Sequence, residues 1–160
     1  MHLKVYYYQM IVFKIRFNHI QHLGSVFDLH LNFHGQLASR DLDGSEQFSL
    51  GGANGVRAYP QGEASGDSGY QATAELRYQT PVKGMSMTLF ADVGEVLARK
   101  DGDTSDPHRR LAGWGIGAVY SLDRSLYARL DYARKIKGES YRSEAEDKNG
   151  RLWFRLYKLF

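Results

Sequence analysis

The chain has 160 residues, a net charge of only +3 from interspersed positive and negative residues, and no cysteine. These values exclude a disulfide framework, thiolate chemistry and a basic block of the kind that binds nucleic acid. Aromatic residues reach 13%, which is high for a soluble domain, while a mean hydropathy of −0.48 argues against a helical membrane protein.

The first ten residues differ from the rest of the chain. Their apolar run is short and aromatic, and no small-residue cleavage site follows, so they do not read as a signal peptide. We therefore predict an atypical N-terminal extension over residues 1–10 and one β-rich domain over residues 11–160.

Alternating apolar and polar residues predict about seven strands in that domain. The clearest case is residues 27–37, where one face is entirely apolar and the other entirely polar. The same period of two marks the other predicted strands, which are 11–20, 70–79, 85–93, 112–120, 126–133 and 152–160.

The connections between these strands alternate strictly in length. Short turns lie near 22–25, 80–84 and 122–125, and long loops lie near 39–69, 94–110 and 136–150. Outer-membrane barrels sort their loops in this way, whereas a soluble β-sandwich has no reason to do so. The pattern therefore favours an all-β, antiparallel transmembrane β-barrel.

The stretch FSLGGANGVRAYPQGEASGDSGY, residues 48–70, is the most informative part of the first long loop. It is too rich in turn formers to predict a strand or a helix, and too long for an ordinary hairpin connection. Gly51, Gly52 and Gly55 allow positive φ or close packing. A stiff tip follows, in which the cation Arg57 is flanked by apolar residues, namely Val56, Ala58, Tyr59 and Pro60. Such a cation calls for an acidic partner.

This stretch resembles the long loop of the two-partner secretion transporters, the haemolysin secretion/activation family of the bacterial outer membrane. The family pattern is a Gly-Gly turn, then Val-Arg-Gly/Ala-Tyr-Pro, then Gly-Asp-Ser-Gly. Here these elements are Gly51-Gly52, Val56-Arg57-Ala58-Tyr59-Pro60 and Gly66-Asp67-Ser68-Gly69. The wider superfamily, which includes the barrel-assembly insertase, prefers Gly where this chain has Ala58, so the resemblance favours the secretion branch.

A second motif, Phe90-Ala91-Asp92-Val93-Gly94, resembles the Phe-x-Asp-x-Gly element of a strand in the same family. Strand parity alone places Asp92 inside the barrel. The resemblance further implies that the loop folds inward and that Asp92 is the partner of Arg57, forming a loop-to-wall lock. Glu75 is the next candidate partner.

The resemblance implies residence in the outer membrane of a Gram-negative bacterium and export of a haemolysin- or adhesin-like exoprotein, without a cofactor. It also implies contact with outer-membrane lipid and with the barrel-assembly machinery, for which Phe160 resembles the terminal aromatic sorting signal. Because the family barrel has sixteen strands, we interpret residues 11–160 as its C-terminal part and the chain as a truncated fragment. The open alternatives are an insertase, a passive porin-like or structural barrel, and a nonfunctional remnant.

Other patterns predict less chemistry. His30 and His34 lie on a polar strand face, which favours lumen-facing histidines over a metal site, and no Ser/His/Asp set predicts an enzyme. The acidic residues of 101–103 lack the spacing of a calcium loop. Gly113, Gly115 and Gly117 share one strand face and would leave room for an inward loop. The candidates for an aromatic girdle are Trp114, Tyr120, Trp153 and Tyr157, although Trp153 faces inward by parity.

Overall fold

The structure, a computed structural model, describes residues 11–97, 108–122, 125–136 and 149–159. The predicted N-terminal extension, the acidic stretch 101–103 and Phe160 lie outside these residues. Nine strands are present in the described part. They are β1 (Val12–Leu23), β2 (Phe27–Ala38), β3 (Phe48–Leu50), β4 (Ala64–Gly66), β5 (Ser68–Gln79), β6 (Met85–Leu97), β7 (His108–Leu122), β8 (Leu126–Lys135) and β9 (Gly150–Lys158).

Seven of these strands form one antiparallel sheet in the order β1-β2-β5-β6-β7-β8-β9. Each strand pairs with its sequence neighbour, apart from the small excursion of β3 and β4, as expected of an up-and-down wall. Within the described residues β1 and β9 are the two edges and do not pair with each other. The predicted all-β class and the count of about seven wall strands are confirmed.

The first long loop, residues 39–67, lies against one face of this sheet; we call it the inner loop and that face the inner face. It contains β3 and β4, which pair as a short ribbon and pack against β5 and β6. The prediction that the stretch from residue 48 forms no strand was therefore wrong. Phe48 and Leu50 are buried against the wall on alternate positions, and this burial outweighs the turn preference of the surrounding glycines.

The second long loop is shorter than predicted. β6 continues to Leu97 and β7 begins at His108, so the ladder extends four residues beyond the expected end at Val93. The extension is stabilised on both faces. Val96 is fully buried, and Glu95 forms ion pairs with His108 and Arg110 across the two strands.

The outer face of the sheet is apolar and exposed. Its large exposed side chains include Met87, Leu89, Val93, Trp114, Ile116, Tyr120, Leu130, Tyr132, Leu152, Phe154 and Leu156. Trp114 and Tyr120 therefore remain girdle candidates. Trp153 lies on the inner face, and Tyr157 shares its parity and contacts the Tyr127 ring, so neither belongs to an outward girdle. Within the described ranges, no helix is long and apolar enough to cross a membrane.

Candidate functional site at the tip of the inner loop

Two glycines form the sharp turn that begins the loop tip. Gly51 and Gly52 have φ angles of +91° and +90°, a conformation that other residues rarely adopt. A side chain at Gly55 would collide with the carbonyl of Gly51, so this third glycine allows close backbone packing. The predicted uses of the three glycines, positive φ or close packing, are confirmed.

The residues that follow form a compact, buried turn. The amide of Tyr59 donates to the carbonyl of Val56 at 3.1 Å, and the amide of Gly52 donates to the carbonyl of Tyr59 at 3.0 Å. Val56, Ala58 and Tyr59 are buried in one apolar cluster, and Pro60 is half-buried at its border. The cluster joins loop and wall, its members being Phe48, Leu50, Val56, Ala58, Tyr59, Ala64, Phe90, Val96, Leu111 and Ala133.

Arg57 lies at the centre of this turn and engages Asp92 with two parallel hydrogen bonds. Its Nε donates to Oδ2 of Asp92 at 2.8 Å, and its Nη2 donates to Oδ1 at 2.8 Å. The backbone amide of Arg57 also donates to Oδ2, at 3.2 Å. Arg57 and Asp92 are 4% and 1% exposed. This bidentate, sheltered geometry is the strong form of an arginine–carboxylate contact.

Two further carboxylates surround the same guanidinium. Nη1 of Arg57 lies 3.2 Å from Oε2 of Glu75 and 3.6 Å from Oδ1 of Asp131. The guanidinium carbon also lies 3.3 Å from the centroid of the Phe90 ring, in cation–π contact. The Arg57 guanidinium therefore contacts three carboxylates and one aromatic ring. Glu75, the next candidate partner from the sequence, contacts Arg57 in addition to Asp92 and does not replace it.

Every inward residue of the wall motif contacts the inner loop. Phe90 supports the Arg57 guanidinium, and Asp92 pairs with it. A Cβ placed on Gly94 would lie 2.7 Å from a methyl group of Leu50, so this glycine makes room for β3 of the loop. The alternate spacing of the motif is thus the spacing of inward positions along β6.

The carboxylates continue into a buried ion-pair network that the sequence interpretation missed. Arg129 donates to Glu75 at 2.6 Å and to Asp131 at 2.7 Å. Arg77 adds a contact to Glu75 at 3.0 Å, and Arg155 adds one to Asp131 at 3.0 Å. The sequence placed these charges at inward positions of β5 and β8, but inward charges are ordinary in a polar barrel interior and do not name their partners.

A stripe of glycines on β7 accommodates loop and wall side chains. Added Cβ atoms at Gly113 and Gly115 would lie 2.6 Å from Cβ of Ala58 and 2.5 Å from the Phe90 ring. At Gly117 the Cβ would approach Thr88 and Asp131. The prediction that these glycines leave room for an inward loop is confirmed for Gly113, the one that meets the loop itself.

A second set of hydrogen bonds holds the base of the inner loop. Asp67, from the Gly-Asp-Ser-Gly tail, accepts bonds from the amide of Leu42 at 3.0 Å and from Gln47 at 3.1 Å. Gln36 on β2 donates to the carbonyl of Asp67 at 3.1 Å. The loop is therefore attached to the wall at both its base and its tip.

The two histidines of β2 lie in different surroundings. His34 packs against Phe48 of the loop with ring centroids 4.9 Å apart, and the described residues contain no group of three potential ligands. His30 is half-buried opposite Glu75 on the neighbouring strand.

Comparisons with known proteins agree with this architecture. A solved structure, CdiB from Acinetobacter baumannii, matches with a TM-score of 0.70 at 22% identity, over 93% of this chain and 27% of that chain. At this identity the match demonstrates the fold alone.

Sequence relatives include the heme/hemopexin transporter protein HuxB of Haemophilus influenzae, which is 35% identical over 86 residues. The protein of that name from strain 86-028NP gives the same values. The aligned part is 52% of this chain and 15% of HuxB, so the chain spans a small part of that relative.

The profile of the haemolysin secretion/activation proteins ShlB/FhaC/HecB matches residues 4–120. That range includes the loop-tip and wall motifs, and it covers well over half of the chain. The chain therefore belongs to the haemolysin secretion/activation protein family.

Proposed function

We propose that this chain forms the C-terminal wall of an outer-membrane transporter that exports a partner exoprotein, of the haemolysin or adhesin type, in two-partner secretion. Family membership and the antiparallel all-β wall support this assignment. The observation that carries it is the inner loop, whose tip is held on the inner face by Arg57 and Asp92.

The inner loop supports transport because it occupies the face that would line the passage. Its tip is buried among wall residues, and its charge is neutralised there by three carboxylates. A loop held at this position can set the width of the passage and can move when a polypeptide enters it. The loop-to-wall lock of Arg57 and Asp92 is the contact that we assign to this control.

The outer face supports a location in lipid of the outer membrane. Large apolar side chains are exposed on it across several neighbouring strands, and a soluble protein rarely exposes a continuous apolar area of this kind. Insertion of such a wall would require the barrel-assembly machinery, with Phe160 as its sorting signal.

We further propose that the transporter contains strands beyond this sheet. The sides of β1 and β9 that have no partner among the described strands would leave backbone amides and carbonyls unsatisfied in hydrocarbon, which costs several kcal/mol for each group. The relative HuxB is far longer than the aligned part of this chain, which also supports additional strands. On this proposal the 160-residue chain is a fragment that forms no uniform channel by itself.

The test is a secretion assay in cells that express the full gene product carrying this sequence together with its exoprotein. Arg57→Ala should lower secretion by about tenfold or more, because stranding buried carboxylates costs about 3–5 kcal/mol. Arg16→Ala, at an exposed arginine of β1, is the matched control and should not change secretion. Normal secretion by the Arg57→Ala variant would refute the proposal. Uniform ungated channels in place of secretion by the unsubstituted protein would also refute it.

A further inference from the structure

The last strand of the wall contacts the loop tip directly. Along β9 the side chains alternate, so that Leu152, Phe154 and Leu156 are exposed on the outer face while Trp153 and Arg155 turn inward and are half-buried. Both inward side chains form hydrogen bonds with the inner loop. Neither contact belongs to the Arg57–Asp92 lock.

Trp153 binds the backbone of the tip rather than a side chain. Its indole Nε1 donates to the carbonyl oxygen of Arg57 at 2.7 Å. An indole N–H can only donate a hydrogen bond. The Arg57 carbonyl belongs to a buried turn, where a carbonyl oxygen without a hydrogen-bond donor would destabilise the fold. The bond therefore holds the tip backbone through an atom that takes no part in the Arg57–Asp92 contact.

Arg155 joins the loop to the ion-pair network. Its Nη1 donates to Oδ1 of Asn54 at 2.7 Å, and its Nη2 donates to Oδ2 of Asp131 at 3.0 Å. Asn54 lies three residues before Arg57, on the exposed side of the tip turn. The planar guanidinium spans the two acceptors, which a lysine ammonium on a flexible stem would do poorly.

These contacts attach β9 to more than its neighbouring strand. In the described structure β9 pairs only with β8, so one side of its backbone has no ladder within this sheet. The bonds through Trp153 and Arg155 attach that edge strand to the loop tip across the inner face. Movement of the tip and movement of β9 are consequently linked.

We propose that Trp153 and Arg155 are positioning residues that hold the loop tip to β9, as a second attachment made through atoms other than those of the Arg57–Asp92 contact. The inference rests on the proposed function, since it assigns these residues to control of the same loop. It predicts that the tip loosens when the indole N–H is lost, even with Arg57 and Asp92 intact.

Cysteine accessibility gives a direct test, because the sequence has no native cysteine. Val56→Cys would place one thiol at a fully buried position of the tip. In the full gene product, in membranes, we would measure its rate of labelling by a water-soluble maleimide. Trp153→Phe keeps a ring and loses the N–H, and should raise the rate about three- to tenfold, the ratio that corresponds to one net hydrogen bond.

Two controls separate positioning from general disruption. Tyr157→Phe removes one hydroxyl group from an exposed ring of the same strand and should leave the labelling rate unchanged. The heat-sensitive electrophoretic mobility of the folded barrel should be normal in every variant.

Arg155→Gln combined with Trp153→Phe should raise the labelling rate further than Trp153→Phe alone.

The outcomes distinguish this inference from the proposed function. If Arg57→Ala raises labelling and lowers secretion while Trp153→Phe does neither, the second attachment is disproved and the transport assignment stands. If Trp153→Phe raises labelling but Arg57→Ala leaves secretion intact, the attachment stands and the transport assignment fails. Equal labelling in the parent, in the Trp153→Phe variant and in the double variant would overturn the second attachment, whatever the secretion assay shows.

Discussion

The two faces of β6 have opposite burial, with exposed residues on one and buried residues on the other. On the outer face Met87, Leu89 and Val93 are exposed, while on the inner face Phe90 and Asp92 are almost fully buried. A water-soluble sheet would bury the first set and hydrate the carboxylate of the second. The contrast teaches that this wall has two environments, an apolar exterior and an interior where charges are sheltered by the inner loop.

The largest expected effect comes from removing the central charge of the inner face. Arg57→Ala would leave Asp92 buried without its guanidinium partner and should destabilise loop docking by about 3–5 kcal/mol. Asp92→Ala should cost less, because Arg57 keeps Glu75 and Asp131 within reach. Urea unfolding of the full gene product in lipid vesicles would measure both. Equal losses in the two variants would mean that Glu75 and Asp131 do not support Arg57.

A charge placed on the outer face should have the next largest effect. Leu31→Arg puts a cation near the middle of β2 on the side that we assign to lipid, and should cost about 2–4 kcal/mol. The adjacent Asn32→Arg places the same side chain on the inner face, where Asn32 is exposed, and should be mild. Urea unfolding of the full gene product in lipid vesicles would measure the stability of both variants. Equal sensitivity at the two positions would indicate a sheet with water on both sides.

The fit between loop and wall gives an intermediate effect. Gly113→Ala would bring a new methyl group against Ala58, and such overpacking costs about 1–3 kcal/mol. Adding Ala58→Gly removes the opposing methyl group and should restore most of the lost stability. The Arg134 carbonyl, 3.2 Å from the added Cβ, should prevent complete recovery. The urea midpoint of unfolding measures the stability of each variant. If the double variant is no more stable than Gly113→Ala alone, the Ala58 methyl group is not the cause of the overpacking.

The smallest effect should come from an ion pair at the exposed end of the same wall. Arg110 contacts Glu95 at 3.2 Å, but its side chain is 73% exposed. Arg110→Ala should therefore change stability by only about 0–1 kcal/mol, and raised salt should abolish the difference. A loss as large as that of Arg57→Ala would remove the distinction between the sheltered interior and the exposed rim.

Much of the wall could be predicted from the sequence because a strand repeats its environment every two residues. The alternation in residues 27–37 and 85–93 identified both strands and their faces, and the loop motif and the wall motif identified Arg57 and Asp92 through family resemblance. The continuation of β6 to Leu97 was missed, because its stabilising partners His108 and Arg110 lie on the next strand.

The parts that escaped prediction depend on contacts between distant residues. Arg129 and Asp131 are ordinary inward charges until the folded sheet brings Glu75 of β5, a strand that does not pair with β8, within reach of Arg129. Trp153 could be placed inward by parity, but its acceptor is a backbone carbonyl 96 residues away, which no residue pattern records. The short ribbon of β3 and β4 likewise forms because the wall buries Phe48 and Leu50.

The crowding of partners around Arg57 bears on how fast the inner loop can leave the wall. Its guanidinium touches three carboxylates and an aromatic ring, and its backbone carbonyl is bound as well. A partly withdrawn tip would have lost several of these contacts before water could replace them. Half-released states are therefore high in free energy, and we expect displacement of the loop to be a rare, all-or-none event with a steep temperature dependence.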